Sequence, residues 1–169
     1  VSEYLPEKCN VDVNCKTNDG TSAFAWATWQ GEIEVMRMLI KFGANPRECA
    51  NQYGCNASMW ACQGDGDNVA VCEYLMGLSV SFRLVNANGH SVLHKAAQRG
   101  NVKVVDWLIK NSRRLGISNL HIAKDSEGFR PSDLAKMEDK IILSGTLECE
   151  VRAEAELLVL LDTSPFYGE

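Results

Sequence analysis

Three histidines and seven cysteines are the side chains of this 169-residue chain best suited to chemistry. His90 and His94 stand four apart, a spacing that sets two imidazoles on one helix face and suits a metal pair. A shared ion needs the two rings to converge, and His121 has no partner nearby in sequence. The cysteines fall at 9, 15, 49, 55, 62, 72 and 149, with no C-x-x-C pair among them. The zinc signature of two close cysteine pairs is therefore missing. An odd count also sits badly with a disulfide framework, so free thiols in a reducing compartment are the simpler reading. A Cys9–Cys15 or Cys49–Cys55 link stays open on spacing alone. Cys55 directly follows Gly54 and reads as a surface thiol, the one to test for reactivity. No G-x-x-x-x-G-K-[ST] loop occurs, and Gly64-Asp65-Gly66 is too short for a dinucleotide fingerprint and follows a helical run. These residues assemble no nucleophile, acid–base pair, cofactor loop or metal set, so no enzyme, no cofactor and no small-molecule substrate are expected.

The elements that must position these residues come from an ordinary globular composition. Hydrophobic residues make up 46% of the chain and charged residues 23%, which excludes a disordered or collagen-like polymer. The longest apolar run, Leu157 to Leu161, is far short of a membrane span, so no membrane insertion is expected. The N-terminus has no charged-then-apolar leader pattern and no Met, which reads as a processed or trimmed chain. The net charge of −5 hides an asymmetry. Residues 1–124 carry +2 and residues 125–169 carry −7, while Lys95 to Lys124 alone carries +6.

Four segments repeat along the chain, with leading glycines Gly20, Gly54, Gly89 and Gly128 separated by 34, 35 and 39 residues. A period of this size marks a stacked solenoid. Each glycine precedes a short helical pattern with Ala on its inner face: Ala27, Ala61, Ala96 and Ala135. In three segments a second amphipathic run follows, as in Ile33-Val35-Met36-Leu39-Ile40, Val69-Val71-Cys72-Leu75-Met76 and Val102-Val104-Val105-Leu108-Ile109. Cys62 and Cys72 fall on packing positions and read as small core hydrophobes. Gln63-Gly64-Asp65-Gly66-Asp67 lengthens one inter-helix loop, and Asn111 to Ile122 lengthens the connection after segment three. Beyond Lys140-Ile141-Ile142-Leu143 the sequence predicts a Ser-Gly turn and then a helix from about Leu147 to Leu161. Leu147, Val151, Leu158 and Leu161 would face the stack, with Glu148, Arg152, Glu154 and Glu156 outward. Pro165 to Glu169 reads as a tail.

The chain resembles the ankyrin repeat family. Segment three carries the likeness best: Gly89-His90-Ser91-Val92-Leu93-His94-Lys95-Ala96-Ala97-Gln98-Arg99-Gly100 is similar to G-x-T-P-L-H-x-A-A-x-x-G, with Ser91 for Thr and Val92 for Pro. Gly43-Ala44-Asn45 resembles the closing motif, and Val11-Asp12-Val13-Asn14 resembles the junction between repeats. Segment four keeps Gly128, Pro131 and Ala135, then departs. The resemblance implies an all-α solenoid of stacked helix-turn-helix units with loop or hairpin fingers and a C-terminal capping helix. The expected organisation is an incomplete repeat or cap over 1–17 and repeats over 18–50, 51–85, 86–124 and 125–137. A capping segment and tail then cover 138–169.

The resemblance also gives His94 a structural role, hydrogen-bonding in the turn between repeats, and places His90 on the variable surface. It implies a non-catalytic adaptor or scaffold that grips another protein with its fingertips and the concave face of its first helices. Position by position this surface is Asn18, Asp19, Thr21, Trp29 and Gln30, then Gln52, Tyr53, Cys55 and Gln63. Repeat three adds Ala87, Asn88, His90, Gln98 and Arg99, and repeat four adds Ser126, Glu127 and Phe129. Trp29 is expected to contact the partner, whereas Trp26 and Trp60, at one repeat position, fit either a stiffening aromatic ladder or a binding surface. Lys103, Lys110, Arg113 and Arg114 form a basic stretch. It either offsets the helix dipole and the acidic C-terminus or anchors an acidic protein or RNA backbone. The alternative function is a structural subunit docked permanently in a large assembly, with RNA contact secondary. An intracellular reducing compartment is expected.

Overall fold

The first helix of each repeat starts where a side chain can cap it, two residues after the finger glycine. Ser22 accepts from Ala25 N–H at 3.2 Å, and Asn56 accepts from Met59 N–H at 3.2 Å. Ser91 and His94 form a reciprocal capping box. In the fourth repeat Arg130 holds the cap position and has no short polar group. There Asp133 accepts from Arg130 N–H at 2.8 Å, and Pro131 opens the helix. Gly31 and Gly100 stop two of these helices in the left-handed conformation, at φ 81° and 80°.

The computed structural model describes residues 12–66, 68–120 and 123–162. Its helices, in chain order, are α1 (Ala23–Gln30), α2 (Ile33–Lys41), α3 (Ala57–Gln63), α4 (Val69–Gly77), α5 (Val92–Arg99), α6 (Val102–Lys110), α7 (Ser112–Leu115), α8 (Pro131–Met137) and α9 (Ile141–Asp162). No strands occur among the described residues; one bridge, Lys16 to Ser22, closes the first finger. The first helices α1, α3, α5 and α8 pack in succession, with α2, α4 and α6 behind their own partners and α9 against α8.

Small residues let the first helices approach closely: Ala27, Ala61, Ala96 and Ala135 are all buried. Larger side chains between the two layers, among them Phe24, Met36, Met59, Leu75, Val92 and Leu108, join one continuous apolar cluster. No single repeat could bury this face alone. Cys62 and Cys72 lie inside the cluster, as their spacing predicts.

The fingers are tied by side chains at one repeated position. Asn51 Oδ1 accepts from Tyr53 and Cys55 N–H, Asn86 Oδ1 from Asn88 and His90 N–H, and Asp125 Oδ1 from Glu127 and Phe129 N–H. Successive fingers are then linked by backbone bonds. Gln52 N–H donates to Asp19 O, Ala87 N–H to Tyr53 O, and Ser126 N–H to Asn88 O, at 2.8–3.0 Å.

Two regions differ from the sequence reading. The long connection after repeat three holds the short helix α7, closed by Gly116 at φ 69° and anchored by buried Ile117. The expected Ser-Gly turn does not form. Ser144 and Gly145 lie inside α9, one uninterrupted helix from Ile141. Leu143 and Leu147, one turn apart, are both buried on its inner side, and that packing outweighs the modest helix penalty of Gly145. Glu148 and Arg152 are exposed as expected. The side chains of Val151, Glu154, Glu156, Leu158 and Leu161 lie outside the described residues, as do Cys9, His121 and the segment from Pro165 to Glu169.

Candidate functional site

Aligned by repeat, the first helices present one column of Trp26, Trp60, Lys95 and Leu134, and beside it a column of Trp29, Gln63, Gln98 and Met137. The face therefore changes along the stack from aromatic, through polar at Gln63, Lys95 and Gln98, to apolar at Leu134 and Met137. Trp26 is 45% exposed and meets Trp29 edge-on, with ring centroids 5.7 Å apart at 84°. Its other neighbour is Trp60, with centroids 6.0 Å apart. Trp29 and Trp60 are half-buried. The most accessible ring is thus Trp26, where the sequence pointed first to Trp29. The three rings form one platform rather than separate ladder and contact residues.

Past the platform lie two adjacent clefts that share Gln98. One, of about 280 Å³, is lined by Gln63, Lys95, Gln98, Arg99 and Glu138. Arg99 is ion-paired with Asp65 at its rim. The other, of about 250 Å³, lies between repeats three and four. It is lined by Asn88, His90, Gln98, Asp125, Ser126, Glu127, Phe129, Leu134 and Met137. Gln63, Asn88, His90, Gln98, Arg99, Ser126, Glu127 and Phe129, carried over by repeat position, are thereby brought together. Lys95, Asp125, Leu134, Met137 and Glu138 are additions. The signal for Lys95, Leu134 and Met137 was the alignment of the repeats, which sets the first two in the Trp26 column and Met137 in the Trp29 column; Asp125 and Glu138 lie outside both columns.

Other predicted residues stand differently. Asn18, Gln52 and Gln30 are exposed, and Tyr53 is 53% exposed. Thr21 is only 1% exposed, its hydroxyl bonded to Asp19 Oδ2 at 2.7 Å, so it shapes the finger and is withdrawn from the surface. Asp19 is held by Thr17 and Thr21, whose hydroxyl groups keep its carboxyl below the ordinary value. Cys55 is likewise withdrawn, at 9% exposure, because Asn86 Nδ2 of the next finger reaches its sulfur at 3.4 Å. Among the described residues the cysteines are free thiols, including Cys49 and Cys55. Burial raises the Cys49 thiol, and it raises Cys62 well above the ordinary value, with Cys72 adding to the effect.

The rings of His90 and His94 stack at 5.6 Å, and no group of three or more metal-ligating side chains gathers among the described residues. His90 is half-buried rather than free on the surface, with Nε2 at 3.1 Å from Asp125 Oδ2. His94 is buried and bonds across to Phe129 O at 3.2 Å, the turn role the resemblance implied. In the basic stretch Lys110 pairs with Asp106 at 2.7 Å, and Arg113 and Arg114 are exposed on α7. That patch lies on and after the second helix α6, on different elements from the clefts. A separate cleft of about 340 Å³ at the first repeat is lined by Asn14, Lys16, Glu48 and Cys49 among others.

The family model described as ankyrin repeats, three copies, matches residues 1–82 and 59–137. The chain belongs to the ankyrin repeat family. Ankyrin repeats are in general protein–protein interaction modules. No curated protein matches the chain. The match to residues 59–137 takes in most of repeat two and repeats three and four, and with them every lining residue of the two clefts of this ankyrin chain except Glu138. Among the described residues no helix is long and apolar enough to cross a membrane.

Proposed function

We propose that the chain is a non-catalytic adaptor that grips a partner protein along the tryptophan platform and the two clefts of repeats two to four. One observation carries this reading: residues assigned by repeat position from separate parts of the sequence line two contiguous clefts that share Gln98. A rigid aromatic platform beside polar clefts is the composition of an interface with a few strong anchors and a hydrogen-bonding surround. Free thiols, buried or not, suit a reducing compartment. A partner recovered from native cells and identified by mass spectrometry provides the test. Trp26→Ala with Tyr53→Ala removes two exposed rings and leaves the core untouched. It should weaken binding by about 2 kcal/mol or more, roughly thirtyfold. Lys110→Ala with Arg114→Ala should leave affinity unchanged. Equal affinity for the tryptophan–tyrosine variant and wild type would remove the concave-face assignment.

Exposed Met137, Ile141 and Ile142 at the start of the cap support a second reading, permanent docking in a larger assembly. RNA contact through Arg113 and Arg114 belongs to that reading. Size-exclusion of native extract separates the two, since a free species of the chain's own size excludes a permanent assembly.

A further inference from the structure

The four repeats act as internal controls for one another, and they single out the junction between repeats three and four. At the junction of repeats two and three, Cys55 faces Asn86, a pair that carries no charge. At the next junction the equivalent pair is His90 and Asp125. His94 likewise stands where repeats one and two have Ala25 and Met59. Both imidazoles reach across to the fourth finger, and their rings lie nearly parallel, 7° apart.

The partners fix the tautomers. A carboxylate only accepts, so His90 Nε2 carries the proton that bonds Asp125. Ser91 N–H donates to His94 Nδ1 at 3.2 Å, so His94 also carries its proton on Nε2 and donates to Phe129 O. His94 is therefore neutral, with Nδ1 as its acceptor, whereas the Asp125 bond by itself leaves the charge of His90 to its other nitrogen. His90 Nδ1 is buried without a hydrogen-bond partner. An added proton there would be a buried donor with nothing to accept it. A proton on His94 Nδ1 would displace the Ser91 N–H, undo that half of the capping box of α5, and turn instead to Ser91 Oγ, 2.9 Å away.

The charges facing His90 oppose one another. Lys95 on α5 disfavours a second cation, while Asp125 and Glu127 of the fourth finger favour one. From α8, Asp133 is committed to Arg130 N–H. Burial decides the balance and lowers the pKa of His90, and of His94 beside it.

We propose that His90 and His94 form an acid-released latch that fastens the fourth finger, α8 and α9 to the rest of the stack. Closed, the latch needs two neutral imidazoles. Open, it frees both rings to take protons at the ordinary histidine value. The unfolded or undocked state therefore binds more protons just below pH 6.5. Docking weakens as pH falls from there, until the docked rings are themselves protonated. Asp125 does not interfere in this window. Burial alone would raise its carboxyl, but the N–H groups of Phe129 and Glu127 and the His90 bond outweigh it and hold it below the ordinary value. Release opens the cleft between repeats three and four whether or not a partner uses it.

Imidazole NMR on the full chain, from pH 7.5 to 5, tests the latch together with amide hydrogen exchange corrected for its intrinsic pH dependence. His90 and His94 should titrate below a free imidazole. Protection in α8 should fall by up to about tenfold per pH unit for each histidine that titrates, while α3 holds. His90→Gln keeps an N–H donor toward Asp125 and cannot titrate, so its α8 should show a shallower pH dependence. Titration of either ring at or above the free value would overturn the proposal, even if the variant does not fold. A parallel loss of protection in α3 and α8, or a wild-type slope in His90→Gln, would overturn it too.

Discussion

Gly89 and Gly128 hold the same place in successive fingers, both at positive φ, yet their surroundings differ. A Cβ on Gly89 would stand 2.9 Å from Ser126 N and 3.1 Å from Asp125 Cα, backbone atoms that have no room to move. A Cβ on Gly128 meets nothing within 4 Å. Gly128→Ala should therefore cost only its backbone strain, about 1 kcal/mol. Gly89→Ala should cost roughly 2 kcal/mol more from overpacking, and urea denaturation of the two variants reads the difference. Thiols give a second residue-scale prediction. Cys15 and Cys149 are exposed and should react with a thiol reagent in the native state. Cys49, Cys55, Cys62 and Cys72 should wait for unfolding, and labelling with peptide mapping checks the order. Cys55 and Thr21 show where the sequence was silent. Both follow a finger glycine and read as surface, but each is drawn in by a finger contact. The Cys55 contact, to Asn86, is 31 residues away, and spacing along one repeat does not display it.

At the scale of elements, α9 is the part the sequence described least well. Ser144-Gly145 looks like a turn because glycine and serine punctuate chains, yet a mid-helix glycine costs only about 1 kcal/mol and two buried leucines exceed that. Gly145 is exposed and a Cβ there meets nothing within 4 Å. Gly145→Ala should accordingly stabilise the chain by about 1 kcal/mol, seen as a higher melting temperature by circular dichroism. A turn at this position would show no such gain. By contrast, Leu147→Ala removes a side chain with no solvent exposure and should cost about 3 kcal/mol. The first helices were legible from the leading glycines and from Ala27, Ala61, Ala96 and Ala135 on their inner faces; the caps at Ser22, Asn56 and Ser91, and the stops at Gly31 and Gly100, are local features that the structure adds. Repeat four was harder to read because Arg130 replaces the short polar cap and Asp133 takes over the bond from inside the helix.

For the whole molecule, contacts run from each first helix to the next, so a defect should spread by neighbours and fade with distance. Leu147→Ala should speed hydrogen exchange most in α8, less in α5, and leave α1 near its wild-type rate. The solenoid was visible in the sequence because its period is short and repeats four times. The clefts were not, since Gln63, Lys95 and Glu138 come from two different repeats and the start of the cap, and meet only when these stack. The same stacking gives the molecule an optical signature. Trp29 and Trp60 lie with ring centroids 5.7 and 6.0 Å from that of Trp26, close enough for their electronic transitions to couple. Trp107 sits apart against Phe82. Separation of repeats one and two should remove the Trp26–Trp60 part of that coupling and keep the Trp26–Trp29 part, which lies within α1, while Trp107 emission follows repeat three. Unfolding from either end of the stack should therefore announce itself in a different colour of light.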